Sequence, residues 1–162
     1  MKGRILIVAG SDSGGGAGIQ ADIKAVTALG GYAATAITAL TAQDTLGVHA
    51  VHPVPQDFIA QQIALSLADI GADAVKTGML GDSDTIGTVA AALERDGRGI
   101  PLVLDPVMVA KGGSRLLAEE AVAALKRRLL PLATVVTPNI PEAEVLAGGT
   151  IRDLAGMRAA AA

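Results

Sequence analysis

Short runs rich in β-branched residues alternate along this chain with longer segments of helical period, and no other feature narrows the fold as far. Such alternation marks an α/β fold with crossover connections. Strands are expected over residues 5–9, 33–40, 74–77, 102–105 and 134–137, each apolar nearly throughout, as strands covered on both faces must be. Helices are expected over 17–29, 56–70, 85–95 and 119–130. The first would put Ile19, Ile23, Val26 and Leu29 on one face, and the second Ile59, Ile63 and Leu67. Gly30-Gly31, Gly71, Gly97 and Pro131 follow these helices as stop signals.

Composition supports the same class and removes others. The chain has 162 residues, 51% of them apolar, enough for one core, so a single domain over 1–162 is expected. With one Phe, one Tyr and no Trp, the core is built from Ala, Val, Ile and Leu, and no aromatic platform exists for stacking nucleotide bases. Sixteen acidic against thirteen basic side chains leave a net charge of −3, which attracts neither nucleic acid nor anionic lipid. The absence of cysteine excludes disulfides and thiolate metal sites. No apolar stretch approaches the ~20 residues of a membrane span. The apolar run after Met1-Lys2-Gly3-Arg4 ends at Gly10-Ser11-Asp12 without a cleavage-like site, so it reads as a strand, and a cytoplasmic location is expected.

Ligands of open α/β sheets lie beyond the carboxyl ends of the strands. After the first strand comes Gly10-Ser11-Asp12-Ser13-Gly14-Gly15-Gly16-Ala17-Gly18, where the backbone can approach a ligand and a helix start offers N–H groups. A Walker loop fails for want of Gly-Lys-Ser/Thr, and Gly16-Ala17-Gly18-Ile19-Gln20-Ala21 fits G-x-G-x-x-A but sits too far past the strand end for a dinucleotide fingerprint. Asp22 is either an acid favoured near a helix start or a carboxylate for a substrate hydroxyl or amine. Gln43 is either a solvated loop residue or an amide that matches the edge of a heterocycle. Met79 is a core residue or an adaptable apolar wall. Asp105, before Pro106, starts a turn or faces a metal–phosphate group. Asn139 and Glu142 have the spacing of a helix cap pair and also suit magnesium held partly through water. Segment 41–55 is longer than ordinary connections and is expected to form a flap or edge hairpin; its His49 and His52 lack a third convergent metal ligand.

Five segments in order closely resemble the hydroxymethylpyrimidine/phosphomethylpyrimidine kinases of thiamine biosynthesis, from about residue 4 to about residue 149. They are residues 7–24, 37–44 (Ile37-Thr38-Ala39-Leu40-Thr41-Ala42-Gln43-Asp44), 76–80 (Lys76-Thr77-Gly78-Met79-Leu80), 103–108 (Val103-Leu104-Asp105-Pro106-Val107-Met108) and 137–143 (Thr137-Pro138-Asn139-Ile140-Pro141-Glu142-Ala143). The resemblance implies a three-layer α/β/α ribokinase-like fold with a mostly parallel sheet. It also implies ATP- and Mg2+-dependent phosphorylation of 4-amino-5-hydroxymethyl-2-methylpyrimidine and then of its monophosphate. In that family Gln43 would bond the aminopyrimidine, Asp22 would lie beside the substrate's polar groups, and Gly10, Met79 and Val107 would shape the pocket. Asp105 would face the phosphate and metal, with Asn139 and Glu142 as the Asn-x-x-Glu magnesium motif. A homodimer is implied too, because segment 41–55 is similar to the region through which relatives dimerise.

The family's later Gly-Thr-Gly-Cys segment, which supplies the anion hole and catalytic base, has no counterpart here. A helix opening at 150–162, with Thr150 as cap and Asp153 at the fourth position, is followed by no strand, so C-terminal material is expected to be missing and the 162-residue chain alone to be inactive. Two alternatives stand beside this: a non-catalytic pyrimidine-binding or interaction module, and a pyridoxal kinase, whose Asp-Pro-Val and Asn-x-x-Glu elements are similar. Gln43 and the glycine loop at 14–18 favour the pyrimidine.

Overall fold

The computed structural model describes residues 2–108 and 118–161. In chain order the elements are β1 (Arg4–Ala9), α1 (Gly18–Ala28), β2 (Tyr32–Ile37), β3 (Ala39–Gln43), β4 (Val48–Pro53), α2 (Gln56–Asp69), β5 (Ala74–Thr77), α3 (Ser83–Asp96), β6 (Leu102–Leu104), α4 (Glu119–Ala124), β7 (Val135–Val136), α5 (Ile140–Ala147) and α6 (Leu154–Ala160). β1, β2, β5, β6 and β7 form one parallel sheet in the order β2-β1-β5-β6-β7. The strand that opens the chain is therefore interior, which explains why Leu6, Ile7, Val8 and Ala9 are all fully buried.

Alternation along β1 builds the layers, because successive side chains of a strand point to opposite faces. Leu6 and Val8 join the larger core with Ile59 and Ile63 of α2, Ile86 and Val89 of α3, and Leu125 and Leu129 beyond α4. Ile7 and Ala9 face the other way, onto Ile19 of α1, with Ile23 and Val26 at its margin. The expected α/β/α layering is present, with α1 on one face and α2 and α3 on the other. Leu29 departs from expectation: it is 72% exposed, because α1 ends at Ala28 and Leu29 is its cap.

The strand expected over 33–40 is two strands. β2 leaves the sheet at Ile37, Thr38 donates its N–H to Ala9 and its hydroxyl to the Met79 carbonyl, and β3 then runs antiparallel to β4 as a separate two-stranded flap. An apolar run carries no mark of where a chain changes sheets; the Thr38 anchors decide it. The helix expected over 119–130 is α-helical only to Ala124, continuing as a π-turn over Leu125–Leu129 and a 3-10 turn over Leu130–Leu132. Pro131 has no N–H to give and its ring crowds the preceding turn, which forces the change of pitch. At the far end Asp153, not Thr150, caps the last helix, accepting from the Gly156 N–H at 2.8 Å. Among the described residues no helix is long and apolar enough to cross a membrane.

Candidate active site

The loop after β1 is organised by one buried carboxylate. Asp12, 4% exposed, accepts from the backbone N–H groups of Gly14 (2.8 Å), Gly16 (2.9 Å) and Ala17 (2.8 Å), and Gln20 Oε1 accepts from the Asp12 N–H at 2.7 Å. Burial pushes the Asp12 carboxyl up, but the N–H groups of Gly14, Ala17, Gly16 and Gly15 outweigh it and hold it below the ordinary carboxylate range. This corrects the expectation of free N–H groups for an anion. The chain's own carboxylate occupies them, and the Ile19 N–H goes to the Gly10 carbonyl at 3.1 Å. A sequence motif cannot show whether a glycine loop's donors are taken by a residue inside the loop.

The flap is tied to this loop. Ser11 N–H donates to the Ala39 carbonyl (2.8 Å), Thr41 Oγ1 to the Ser11 carbonyl (2.8 Å), and Ser13 Oγ both donates to the Gln43 carbonyl (2.7 Å) and accepts from the Gln43 N–H (2.8 Å). The β3–β4 register shifts between Ala42 and Gln43, where β4 carries one extra residue, His49, opposite the end of β3. Gln43 is half-buried there, its amide oxygen 3.5 Å from Thr41 Oγ1. Asp44 closes the turn by accepting from Leu46 and Gly47, and its Oδ2 lies 2.9 Å from His49 Nε2.

Gly10 is buried at the end of β1 and donates to the Met79 carbonyl at 3.0 Å; a Cβ there would overlap Met79 Cε, so glycine makes the room in which the methionine lies. Lys76 is the charge centre. Its Nζ lies 2.8 Å from Asp22 Oδ2 and 3.3 Å from Asp105 Oδ2, bringing α1 and the end of β6 together across the carboxyl edge of β5. Neither Lys76 nor Asp12 was singled out from sequence. The signal for Lys76 was a lysine in the otherwise apolar end of a central strand.

Asn139 and Glu142 form a helix capping box: Glu142 N–H donates to Asn139 Oδ1 and Asn139 N–H to Glu142 Oε2, both at 3.0 Å. Glu142 is 5% exposed and its Oε1 also accepts from Met108 N–H at 3.2 Å, fastening α5 to the segment that follows Asp105 and Val107. Glu142→Ala is expected to lower stability by about 2 kcal/mol, since two backbone donors lose their acceptor. Thermal unfolding checks this, and a midpoint equal to the unsubstituted chain's would refute the fastening role. Among the described residues no cluster of three or more His, Cys, Asp or Glu side chains is gathered to enclose a metal ion directly.

A family model described as phosphomethylpyrimidine kinase matches residues 12–162. The hydroxymethylpyrimidine/phosphomethylpyrimidine kinase of Bacillus subtilis is 51% identical over 158 residues, 98% of this chain and 58% of the relative. Among solved structures, the phosphomethylpyrimidine kinase of Clostridium difficile superposes with a TM-score of 0.91 at 44% identity, over 97% of this chain and 68% of that one. The pyridoxal kinase of Staphylococcus aureus in complex with pyridoxal gives 0.85 at 40% identity, over 98% of this chain and 57% of that one. The chain spans between 32% and 58% of the length of the first curated relatives it matches. The matched segment takes in Asp12, Asp22, Gln43, Lys76, Asp105 and Glu142 together, and the chain belongs to the phosphomethylpyrimidine kinase family.

Proposed function

We propose that the crevice serves ATP-dependent phosphorylation of 4-amino-5-hydroxymethyl-2-methylpyrimidine and then of its monophosphate, in thiamine biosynthesis. The observation that carries this reading is that the loop and helix following β1 meet an amide residue of the flap and carry a carboxylate of their own. Ser13 holds the Gln43 backbone through its N–H and carbonyl, and Lys76 holds the Asp22 carboxylate on α1. An amide that both donates and accepts suits the ring nitrogen and exocyclic amine of an aminopyrimidine, and a carboxylate suits that amine or the hydroxymethyl group. Met79 over Gly10, together with Val107, would give the apolar walls against which the ring lies.

The donor set fits a hard divalent cation bound largely through water. Asp105, Asn139 and Glu142 offer oxygen alone; each Glu142 oxygen already accepts one N–H, which leaves outer lone pairs for ordered water rather than a direct cage. When bound, ATP and magnesium supply the transferable phosphoryl group and the positive charge that neutralises it. In the first transfer the substrate hydroxyl oxygen bonds to the γ-phosphorus as the bond to the ADP oxygen breaks and the hydroxyl proton leaves; in the second a phosphate oxygen of the monophosphate attacks in the same way, and each transfer releases ADP. The anion hole and the base that takes the hydroxyl proton are assigned to none of these residues. Exposed Leu40, Leu46 and Val51 on the flap support a homodimer through that element, and a cytoplasmic location accords with the chemistry.

Gln43→Ala is expected to weaken binding of the hydroxymethylpyrimidine by about 1–3 kcal/mol, the cost of leaving a buried base edge unpaired. Calorimetry measures it, and equal affinity for both forms would remove Gln43 from the site. The same titration with pyridoxal tests the second reading, which the 40% identity to a pyridoxal kinase keeps in play. Preference for pyridoxal overturns the pyrimidine assignment. In an ATP/Mg2+ turnover assay on the same chain, phosphorylation of the bound pyrimidine would exclude a mere binding module.

A further inference from the structure

We infer that Lys76 is the positioning residue of this crevice: its ammonium straps the Asp22 carboxylate in the orientation that meets the substrate and sets its distance from Asp105. The inference rests on reading the crevice as the pyrimidine site.

Lys76 occupies a place where a parallel strand ordinarily carries an aliphatic side chain. Its neighbours in register are Ile7, fully buried, and Val103, half-buried. A lysine there, with its side chain only 23% exposed, is stable only if its charge is answered. Two carboxylates answer it. Asp22 arrives from α1, 54 positions away in sequence, and Asp105 from the end of β6. Gly78 supplies the space, since a Cβ on it would stand 3.3 Å from the ammonium and 3.0 Å from Ala9 Cβ.

The two contacts are unequal. Asp22 Oδ2 receives a hydrogen bond at 2.8 Å, whereas Asp105 Oδ2 stands at 3.3 Å. Asp22 is thus held by one oxygen, and its Oδ1 carries no hydrogen bond among the described residues and remains for a ligand. Without the ammonium the two carboxylates would face each other uncompensated, and Asp22, half-buried on the margin of α1, would rotate toward water. Lys76 therefore acts on the substrate through Asp22 rather than by touching it.

The test combines one measurement without ligand and a double-mutant cycle with it. In the unliganded chain, three-bond couplings at Asp22 should report a single χ1 rotamer, and Lys76→Met should average it. Calorimetry with the hydroxymethylpyrimidine should show about tenfold weaker binding for Lys76→Met, while Lys76→Arg, which keeps the charge, stays within about threefold. Asp22→Asn should also weaken binding, and adding Lys76→Met to it should cost nothing more, because a residue that acts through another has no effect once that other is disabled. Lys76→Gln takes the place of methionine if Lys76→Met does not fold. An Asp22 already averaged in the unsubstituted chain, unchanged affinity in the neutral variants, or effects that add across the cycle would each overturn the strap. An unsubstituted chain that binds no pyrimidine overturns the functional reading instead, and with it the ligand this strap is meant to serve; the χ1 result then judges the strap alone.

Discussion

Asp12→Ala is expected to destabilise the chain by about 3 kcal/mol, a fall of roughly 6–12 °C in unfolding midpoint for a domain of this size. The loop from Ser11 to Ala17 gives no side chain to either apolar core, and beside its ties to the flap its turn is held by three N–H groups that converge on one carboxylate. Alanine leaves those donors without an acceptor, and the loop recovers them only by opening to water. Because the same loop carries Ser13 against Gln43, the substitution should also free the flap and abolish measurable pyrimidine binding. Asp12→Asn keeps one acceptor oxygen and should lose less than half as much. The pH dependence has a definite sign. The folded-state pKa of Asp12 is depressed, so its contribution is complete above the ordinary carboxylate value of about 4 and is lost as pH falls through the lower folded value. The stability difference between the unsubstituted chain and Asp12→Ala should therefore be flat above about pH 5 and shrink in acid. Denaturant titrations across that range measure it, and a difference that grows toward acid would show that the carboxylate is not the element that matters.

Gly18→Ala is expected to cost about 2–4 kcal/mol, and for a reason independent of Asp12. Gly18 has φ of +56°, and a Cβ on it would stand 2.5 Å from the Gly10 carbonyl oxygen and 3.2 Å from the Asp12 nitrogen. These are backbone atoms of the buried residues that follow β1, Gly10 and Asp12, which have no room to retreat. Either α1 moves away from the sheet, breaking the Ile19 N–H bond to the Gly10 carbonyl, or the start of the helix unwinds. Gly47, in the turn between β3 and β4, provides the comparison. A Cβ there meets nothing within 4 Å, so Gly47→Ala should change stability by less than about 0.5 kcal/mol. Chemical denaturation of the pair checks the prediction; equal stabilities would mean that the approach of α1 to β1 is not close enough to require glycine.

The fold class was legible because its signals are local. Apolar runs at 5–9 and 74–77 and the helical period over 56–70 reflect the burial of each segment on its own, and the structure keeps them within a residue or two. The resemblance to a kinase family was legible for a different reason: its motifs at Asp22, Gln43, Asp105 and Glu142 are contiguous words, readable without knowing where they meet. The exchange of sheets at Thr38 was not legible, since the residues on both sides are equally apolar and the decision lies in two hydrogen bonds to Ala9 and Met79. The doubt over Asn139 and Glu142 was resolved in part by geometry, for the capping box is made and Glu142 additionally holds Met108.

By itself, then, the sequence determined the α/β class, the order of its elements and the family, all of which rest on periodicity, propensity and short motifs that act over a few residues. Only the tertiary structure decided that the donors of the glycine loop are filled by Asp12, that Ser13 holds the Gln43 backbone, and that Lys76 stands between Asp22 and Asp105. Those facts depend on how crossover helices return strands distant in sequence to one edge, where hydrogen bonds and charges sensitive to tenths of an ångström select among arrangements that the local pattern leaves equally open.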